Sequence, residues 1–241
     1  MKHGKRDNII DVYTWPTPNG HKVHIMLNEC GLEHEIHGVD IQKGEQFEPD
    51  FLAISPNNRI PAIIDNDGPD GRSYSLFESG AILIYLADKT GKFLSKDAEP
   101  RYTTLQWLMF QMGNVGPMFG QAHHFRSYAA DNVEYAIERY TNEAGRLYRI
   151  LNKRLGESTY LAGDDYSIAD IATYPWSLNP QRRGQDLEEL PNVARWLDAI
   201  SVRPAVEKAM KVLADQRRDL TKGIDEETRR IMFGDKQFAQ R

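Results

Sequence analysis

The stretch IIDVYTWPTPNGHKVHIMLNECGLEHEIHGV, Ile9 to Val39, decides the fold. It opens on IIDVY, a β-branched apolar run of strand type, and the turn cluster PTPNG from Pro16 to Gly20 stops that run. Behind the turn, Val23, Met26, Leu27 and Cys30 recur at helical spacing, and Gly31 stands where a left-handed C-cap ends a helix. Glu35 to Val39 reads as a second strand. Strand, helix and strand within about 30 residues is the length of a parallel crossover unit.

Downstream, Gly44 to Asn58 is turn-rich and leads into IPAII, Ile60 to Ile64, a buried-strand pattern. Its Ile60-Pro61 bond is expected trans, the form an X-Pro bond prefers by about 0.5 to 1 kcal/mol. Asp65 to Gly71 is a turn cluster and Ser73 to Phe77 a fourth strand. Ser79 is a fitting N-cap for a helix carrying Ile82, Leu83, Tyr85 and Leu86 and ended by Gly91. The order is therefore β-α-β, then β-β-α.

From about Glu99 helical patterns take over. Leu105, Leu108, Met109 and Met112 share a helix face until GNVGP, Gly113 to Pro117, is expected to interrupt it. Ile137, Tyr140, Ala144, Leu147 and Leu151 line another. In Tyr166-Ser167-Ile168-Ala169-Asp170-Ile171, Ser167 and Asp170 make a capping box, with Tyr166 and Ile171 at the staple positions. A further helix follows Pro191, with Val193, Trp196, Leu197 and Ile200 inward. The expected organisation is an α/β domain over 1–92, an all-α helical bundle over 99–220 and a polar tail over 221–241.

A chain of 241 residues, 40% apolar and 27% charged, fits a soluble globular protein of one large or two small domains. A net charge of −5 provides no field to gather phosphates, so no nucleic-acid partner is expected. The single Cys30 excludes an internal disulfide, a Cys-rich zinc site and a CxxC redox pair. No apolar run reaches the roughly 18 to 20 residues of a membrane span, and the leader MKHGKRDN has no apolar segment behind its charges. A cytoplasmic location and no membrane partner are expected.

The motifs PTPNGHK at Pro16–Lys22, KGEQF at Lys43–Phe47, SPNNRIPAI at Ser55–Ile63, LFESGAIL at Leu76–Leu83, LQWLMFQMG at Leu105–Gly113, YAIERY at Tyr135–Tyr140 and YSIAD at Tyr166–Asp170 stand in order along the chain. Together they resemble the cytosolic glutathione transferases, from about Ile9 to Asp215, and within them the bacterial Nu-class branch. That branch holds glutathione-dependent disulfide-bond reductases related to the transferase domain of a yeast nitrogen-regulating prion protein. The resemblance implies a thioredoxin-like N-terminal domain with a mixed sheet, followed by a helical C-terminal domain, in a homodimer. It also implies glutathione as cosubstrate, no metal, and a small-molecule disulfide or electrophile as second substrate. The implied reaction is glutathione-dependent reduction of small disulfides, with organic hydroperoxide reduction as a side activity. The alternatives are conjugation of glutathione to carbon electrophiles, or a glutathione-binding regulator with little turnover.

Glutathione brings its own sulfur, so the protein's task is to hold it as thiolate. A free thiol titrates at about 8.5, and lowering that by about two units takes roughly 2.7 kcal/mol of preferential thiolate binding. The Asn19 amide, the Thr17 hydroxyl and the free N–H groups of a first helical turn are suitable donors. On the residues alone, Thr17-Pro18-Asn19-Gly20 equally fits a plain turn with an Asn cap. The resemblance places Thr17 and Asn19 near the glutathione sulfur. Tyr13 is the competitor, and as a strand aromatic it also fits a core role. Cys30 lies about 11 residues, or roughly 16 Å, down the helix and reads as a small buried apolar residue.

The resemblance further implies that Glu78 pairs the γ-glutamyl ammonium and that Ser79, with the N–H groups of its helix, receives the α-carboxylate. It assigns the cysteinyl unit to the Ile60 backbone, held in place if Ile60-Pro61 is cis, the glycyl end to Gln46, and a contact from the helical domain to Arg139. Taken blind, Ser79 is an ordinary cap, Glu78 a first-turn acid, and Arg59 and Arg139 solvated cations. Arg139, Arg146, Arg149 and Lys153 form a stripe interleaved with Glu138 and Glu143, a surface pattern. His123 and His124 point about 100 degrees apart on a helix, with no carboxylate or Cys at ligand spacing. They suit an electrophile pocket or a dimer cleft better than a metal.

Overall fold

The computed structural model describes residues 8–216 and 223–238. It divides into two compact units, Met1–Ile82 with Ala209–Arg241, and Leu83–Lys208. This division differs from the 92/99 boundary read from sequence: it passes through a helix and assigns the C-terminal segment to the first unit.

In the first unit β1 (Ile10–Thr14), α1 (Pro18–Cys30) and β2 (His34–Gly38) form the crossover, and β1 pairs parallel with β2, Ile10 opposite His34. After a short helix α2 (Pro49–Leu52), β3 (Ala62–Asp65) runs antiparallel to β1, and β4 (Tyr74–Phe77) antiparallel to β3. The mixed sheet has the order β2-β1-β3-β4. Period-two alternation along β1 buries Ile10, Val12 and Thr14 and leaves Asp11 and Tyr13 half-buried. Tyr13 faces Val39, Phe51 and Ala62, joined there by Ile54, Ile60 and Phe77.

Helix α1 has both of its stops in the sequence. Thr17 caps its start in an extended conformation, and Pro18 supplies the fixed φ of a first helical residue. At its end Gly31 adopts φ 71°, donating to the Asn28 carbonyl while Leu32 donates to that of Leu27, a Schellman pair. The amphipathic face expected from Val23, Met26, Leu27 and Cys30 understates the burial. Every residue from Gly20 to Leu27 is buried, the polar His21, Lys22 and His24 among them.

Ile60-Pro61 is cis, against the trans form expected from sequence. Helix α3 (Ser79–Thr90) also differs from expectation at its start, because the Ile82 N–H donates to the Glu78 carbonyl at 2.9 Å. Glu78 is thus the capping position and Ser79 the first helical residue.

In the second unit α4 (Ala98–Phe110) passes through a π-helical turn, Gln111–Val115, into α5 (Gly116–Ser127). GNVGP therefore does not break the helix. Pro117 has no N–H and its ring crowds the carbonyl of the preceding turn, and one widened turn accommodates both. α6 (Glu134–Glu157) follows, then α7 (Ile168–Ser177), α8 (Pro191–Ser201) and α9 (Pro204–Met210). The Ser167–Asp170 capping box forms at the head of α7.

The segment read as a polar tail carries α10 (Glu226–Phe233). Asp225 caps it by accepting from the Thr228 N–H at 2.8 Å, and Thr228 and Ile231, one turn apart, are its buried residues. A two-residue buried face, one of them a threonine, on eight residues is too short for hydrophobic periodicity to reveal. The rest of that tail, 221–222 and 239–241, and the leader 1–7 lie outside the described residues.

Candidate functional site

The first turn of α1 is built tightly onto the end of β1. Thr17 Oγ1 accepts from the Gly20 N–H at 3.3 Å, which leaves the hydroxyl hydrogen to donate elsewhere. A Cβ on Gly20 would lie 2.2 Å from the Trp15 carbonyl oxygen and 2.6 Å from Thr14 Oγ1, so only glycine fits there. The cap belongs to Thr17, so the plain reading of Asn19 as the helix cap does not hold. Asn19 is half-buried at the second helical position, beside the positive end of the helix dipole.

Cys30 is buried at the opposite end of α1. Tyr13 stacks on His37, ring centroids 4.8 Å apart, within the Val39–Phe51–Ala62 cluster.

A second group of expected residues meets at the head of α3. Glu78 has φ 70°, a left-handed conformation that costs a non-glycine residue on the order of 1–2 kcal/mol and is typical of ligand-holding turns. Its side chain is exposed, whereas Ser79 is buried. From α1, the Lys22 ammonium donates to Ser79 Oγ at 3.2 Å. Lys22 is only 1% exposed. Burial pulls its pKa from 10.5 to about 7, against the opposing pull of Glu78. Sequence reasoning missed Lys22, which looks like any helical lysine until the fold brings it against a residue 57 positions away.

Gln46 sits in a single 3-10 turn, Glu45–Phe47, entered through Gly44 at φ 89°. It is buried, its Nε2 donates to the Ile41 carbonyl at 3.1 Å, and its Oε1 has no hydrogen-bond partner among the described residues. Ile60 precedes cis-Pro61 at the entry to β3. Arg59 donates to Gln237 Oε1 in the C-terminal segment at 2.6 Å.

Arg139 lies on α6 in the second unit, exposed, 3.9 Å from Glu143. Glu143 is held more closely by Arg146, at 2.9 and 2.7 Å, so this stretch of the basic stripe is surface pairing. Of the adjacent histidines on α5, His123 Nε2 lies 2.8 Å from the Tyr128 hydroxyl, and burial lowers the pKa of His124.

Two further groups were not foreseen. His24 is fully buried with Nε2 3.0 Å from Thr14 Oγ1, and burial with the neighbouring His21 and His34 lowers its pKa to about 3. Asp11, Glu35 and His37, aligned on β1 and β2, hold ligand-type atoms within 4.8 Å of one another. His37 Nε2 is already 2.8 Å from Asp11 Oδ1, and Asn66 donates to Asp11 Oδ2 at 2.9 Å.

Residues 10–88 match the family described as the N-terminal domain of glutathione S-transferase, and residues 112–204 match its C-terminal domain. The chain is 52% identical over 214 residues to the disulfide-bond oxidoreductase YfcG of Escherichia coli K12, covering 88% of this chain and all of that protein. It superposes with a TM-score of 0.82 on a glutathione transferase from Pseudomonas putida with one glutathione disulfide bound per subunit. Identity is 44%, over 87% of this chain and 94% of that one. A glutathione transferase family member from Pseudomonas fluorescens pf-5 with two glutathiones bound gives the same TM-score at 46% identity, over 86% and 95% of the two chains.

Proposed function

Since this chain belongs to the glutathione S-transferase family, we propose that it is a glutathione-dependent disulfide-bond reductase. The observation that carries the reading is the position of its only cysteine. Cys30 is buried at the far end of α1 from the Thr17–Asn19 turn, so the chain has no thiol of its own for exchange, and the reacting sulfurs come from glutathione. The relative named a disulfide-bond oxidoreductase and the neighbours holding glutathione disulfide or two glutathiones support the same chemistry.

In this reading Asn19 and Thr17 donate to the sulfur of bound glutathione at the positive end of α1 and keep it as thiolate. The thiolate attacks one sulfur of a small disulfide, forming a mixed disulfide and expelling the other half as a thiol. A second glutathione then attacks the mixed disulfide, releasing the second thiol and glutathione disulfide, so two glutathiones are oxidised per disulfide reduced. A moderate shift of the thiol suits this step, because nucleophilicity falls as thiol pKa falls. The same thiolate accounts for organic hydroperoxide reduction as a side activity.

Glu78 is assigned to the γ-glutamyl ammonium and Ser79 to the α-carboxylate. The Ile60 backbone is assigned to the cysteinyl unit and Gln46 to the glycyl end, where its buried Oε1, without a hydrogen-bond partner among the described residues, supports a polar ligand. Arg139 enters on the resemblance alone. A homodimer, as in the family reading, is supported by Tyr102 and Met109, large, exposed and seven residues apart on one face of α4. No helix among the described residues is long and apolar enough to cross a membrane, and a cytoplasmic location is proposed.

Turnover of a small disulfide should exceed that of an aryl halide when both are assayed with glutathione. Faster thioether formation would make the protein a conjugating transferase. Glutathione binding with no reductase rate would make it a regulator.

A further inference from the structure

The buried amine between α1 and the head of α3 has no part in the sulfur chemistry. One of the N–H donors of the Lys22 ammonium is directed at Ser79 Oγ, 3.2 Å away, and an ammonium only donates. With the amine protonated, Ser79 Oγ accepts, which turns its own hydroxyl hydrogen toward another acceptor. An N-terminal helical residue whose hydroxyl is set to donate, backed by a buried positive charge, is complementary to a carboxylate.

We propose that Lys22 is a positioning residue that fixes Ser79 as donor and makes this end of the site selective for the γ-glutamyl α-carboxylate of glutathione. The assignment rests on the glutathione reading above and deepens it. A purely structural role explains the burial less well. A buried amine is costly unless compensated, and a methionine would fill the same space without a charge. Among the described residues, Glu78 at the head of α3 pulls on Lys22 electrostatically, and on its own helix the neighbouring ionisable side chains include the buried His21 and His24. Burial pulls the pKa of the amine down to about 7. A carboxylate arriving at Ser79 favours the ammonium, so the protein takes up a proton as the carboxylate binds.

The test compares S-methylglutathione with its analogue lacking only the γ-glutamyl α-carboxylate. Neither has a thiol, and both keep the amino group that Glu78 would pair. The wild type should prefer S-methylglutathione by about tenfold or more, the usual range for a hydrogen bond to a charged group. In Lys22→Met the preference should fall below about threefold, with KM for glutathione rising more than kcat falls, and Lys22→Arg should restore part of it.

A Lys22→Met protein that folds and keeps the wild-type preference overturns the proposal. Should that variant fail to fold, calorimetry of the wild type at pH 8 in two buffers of different ionisation enthalpy decides. Greater proton uptake with S-methylglutathione than with the analogue supports the role, and equal uptake refutes it. A wild type that binds neither ligand and turns over no glutathione would instead refute the glutathione reading itself.

Discussion

Asn19 and Thr17 act, in the proposed mechanism, by making a thiolate cheaper than a thiol, and that is a quantity a single substitution can move. Asn19→Ala removes one donor while leaving the Thr17 cap and its bond from the Gly20 N–H in place. A donor aimed at a developing or full negative charge contributes about 10²-fold to rate when water is excluded. Asn19→Ala should therefore lower reductase kcat/KM by about that factor and raise the pKa of bound glutathione toward the free value. Binding of S-methylglutathione should stay within about threefold of wild type, since that ligand has no thiolate to hold. Thiolate absorption against pH, read beside the kinetics, checks both halves, and full activity in the variant removes Asn19 from the sulfur. The turn and helix start that carry these two residues were legible because they lie next to each other along the chain, whereas the role at the sulfur comes from the family resemblance. Lys22 and His24 were not legible, because nothing local marks a lysine or a histidine as buried. Their environment is set by α3 and β1, tens of residues or a whole strand-and-turn away.

Among the elements, α7 was the most legible because its start is written in local hydrogen-bond chemistry. Asp170 does more than the capping box required. Its Oδ2 accepts from the Ser167 N–H at 3.1 Å and from Ser167 Oγ at 2.9 Å. Its Oδ1 accepts from the Leu161 N–H and from Trp196 Nε1, each at 2.9 Å. The fully buried carboxylate thus joins the turn before α7 to α8. Asp170→Ala strands a backbone N–H and an indole N–H without acceptors, so urea denaturation should report a loss of about 3 to 5 kcal/mol. Ser167→Ala, which removes only a cap hydroxyl, should cost about 1 kcal/mol. Similar small losses for both would mean that Asp170 is only a cap. The elements read less well had weak or overridden local signals. GNVGP carries the marks of a break, yet a π turn carries the helix through it. α10 buries too little apolar surface to leave a pattern, and α1 hides three polar residues behind an ordinary amphipathic spacing.

For the whole molecule, the change from mixed to helical patterning near residue 95 reads as a change of domain, whereas the compact units divide between Ile82 and Leu83. The return of the described C-terminal residues, 209–216 and 223–238, to the first unit draws on contacts between distant parts of the chain, such as that of Arg59 with Gln237, which no local pattern encodes. The same burial that hid Lys22 and His24 from sequence reading makes the fold sensitive to acid. His24 titrates at about 3 in the fold, and an unfolded imidazole at about 6.5. Between those values the unfolded chain binds a proton that the fold refuses, so stability is complete above about 6.5 and is lost as pH falls toward 3. From pH 7.5 to 5, where most carboxylates stay ionised, the loss should approach 2 kcal/mol, at about 1.4 kcal/mol per unit once the unfolded histidine is charged. Lys22 acts in the same direction in a higher window. Unfolded chains hold its proton up to about 10.5 while the fold releases it near 7, so stability rises with pH between those values. Urea denaturation of the unliganded protein should therefore give a midpoint that climbs from pH 5 through pH 8, well above the region where net charge vanishes. His24→Gln, which keeps a polar partner for Thr14 Oγ1 but cannot be protonated, should flatten the part of that climb below pH 6.5. An unchanged slope in the variant would show that the acid sensitivity has another source, and that His24 is not held neutral by its burial.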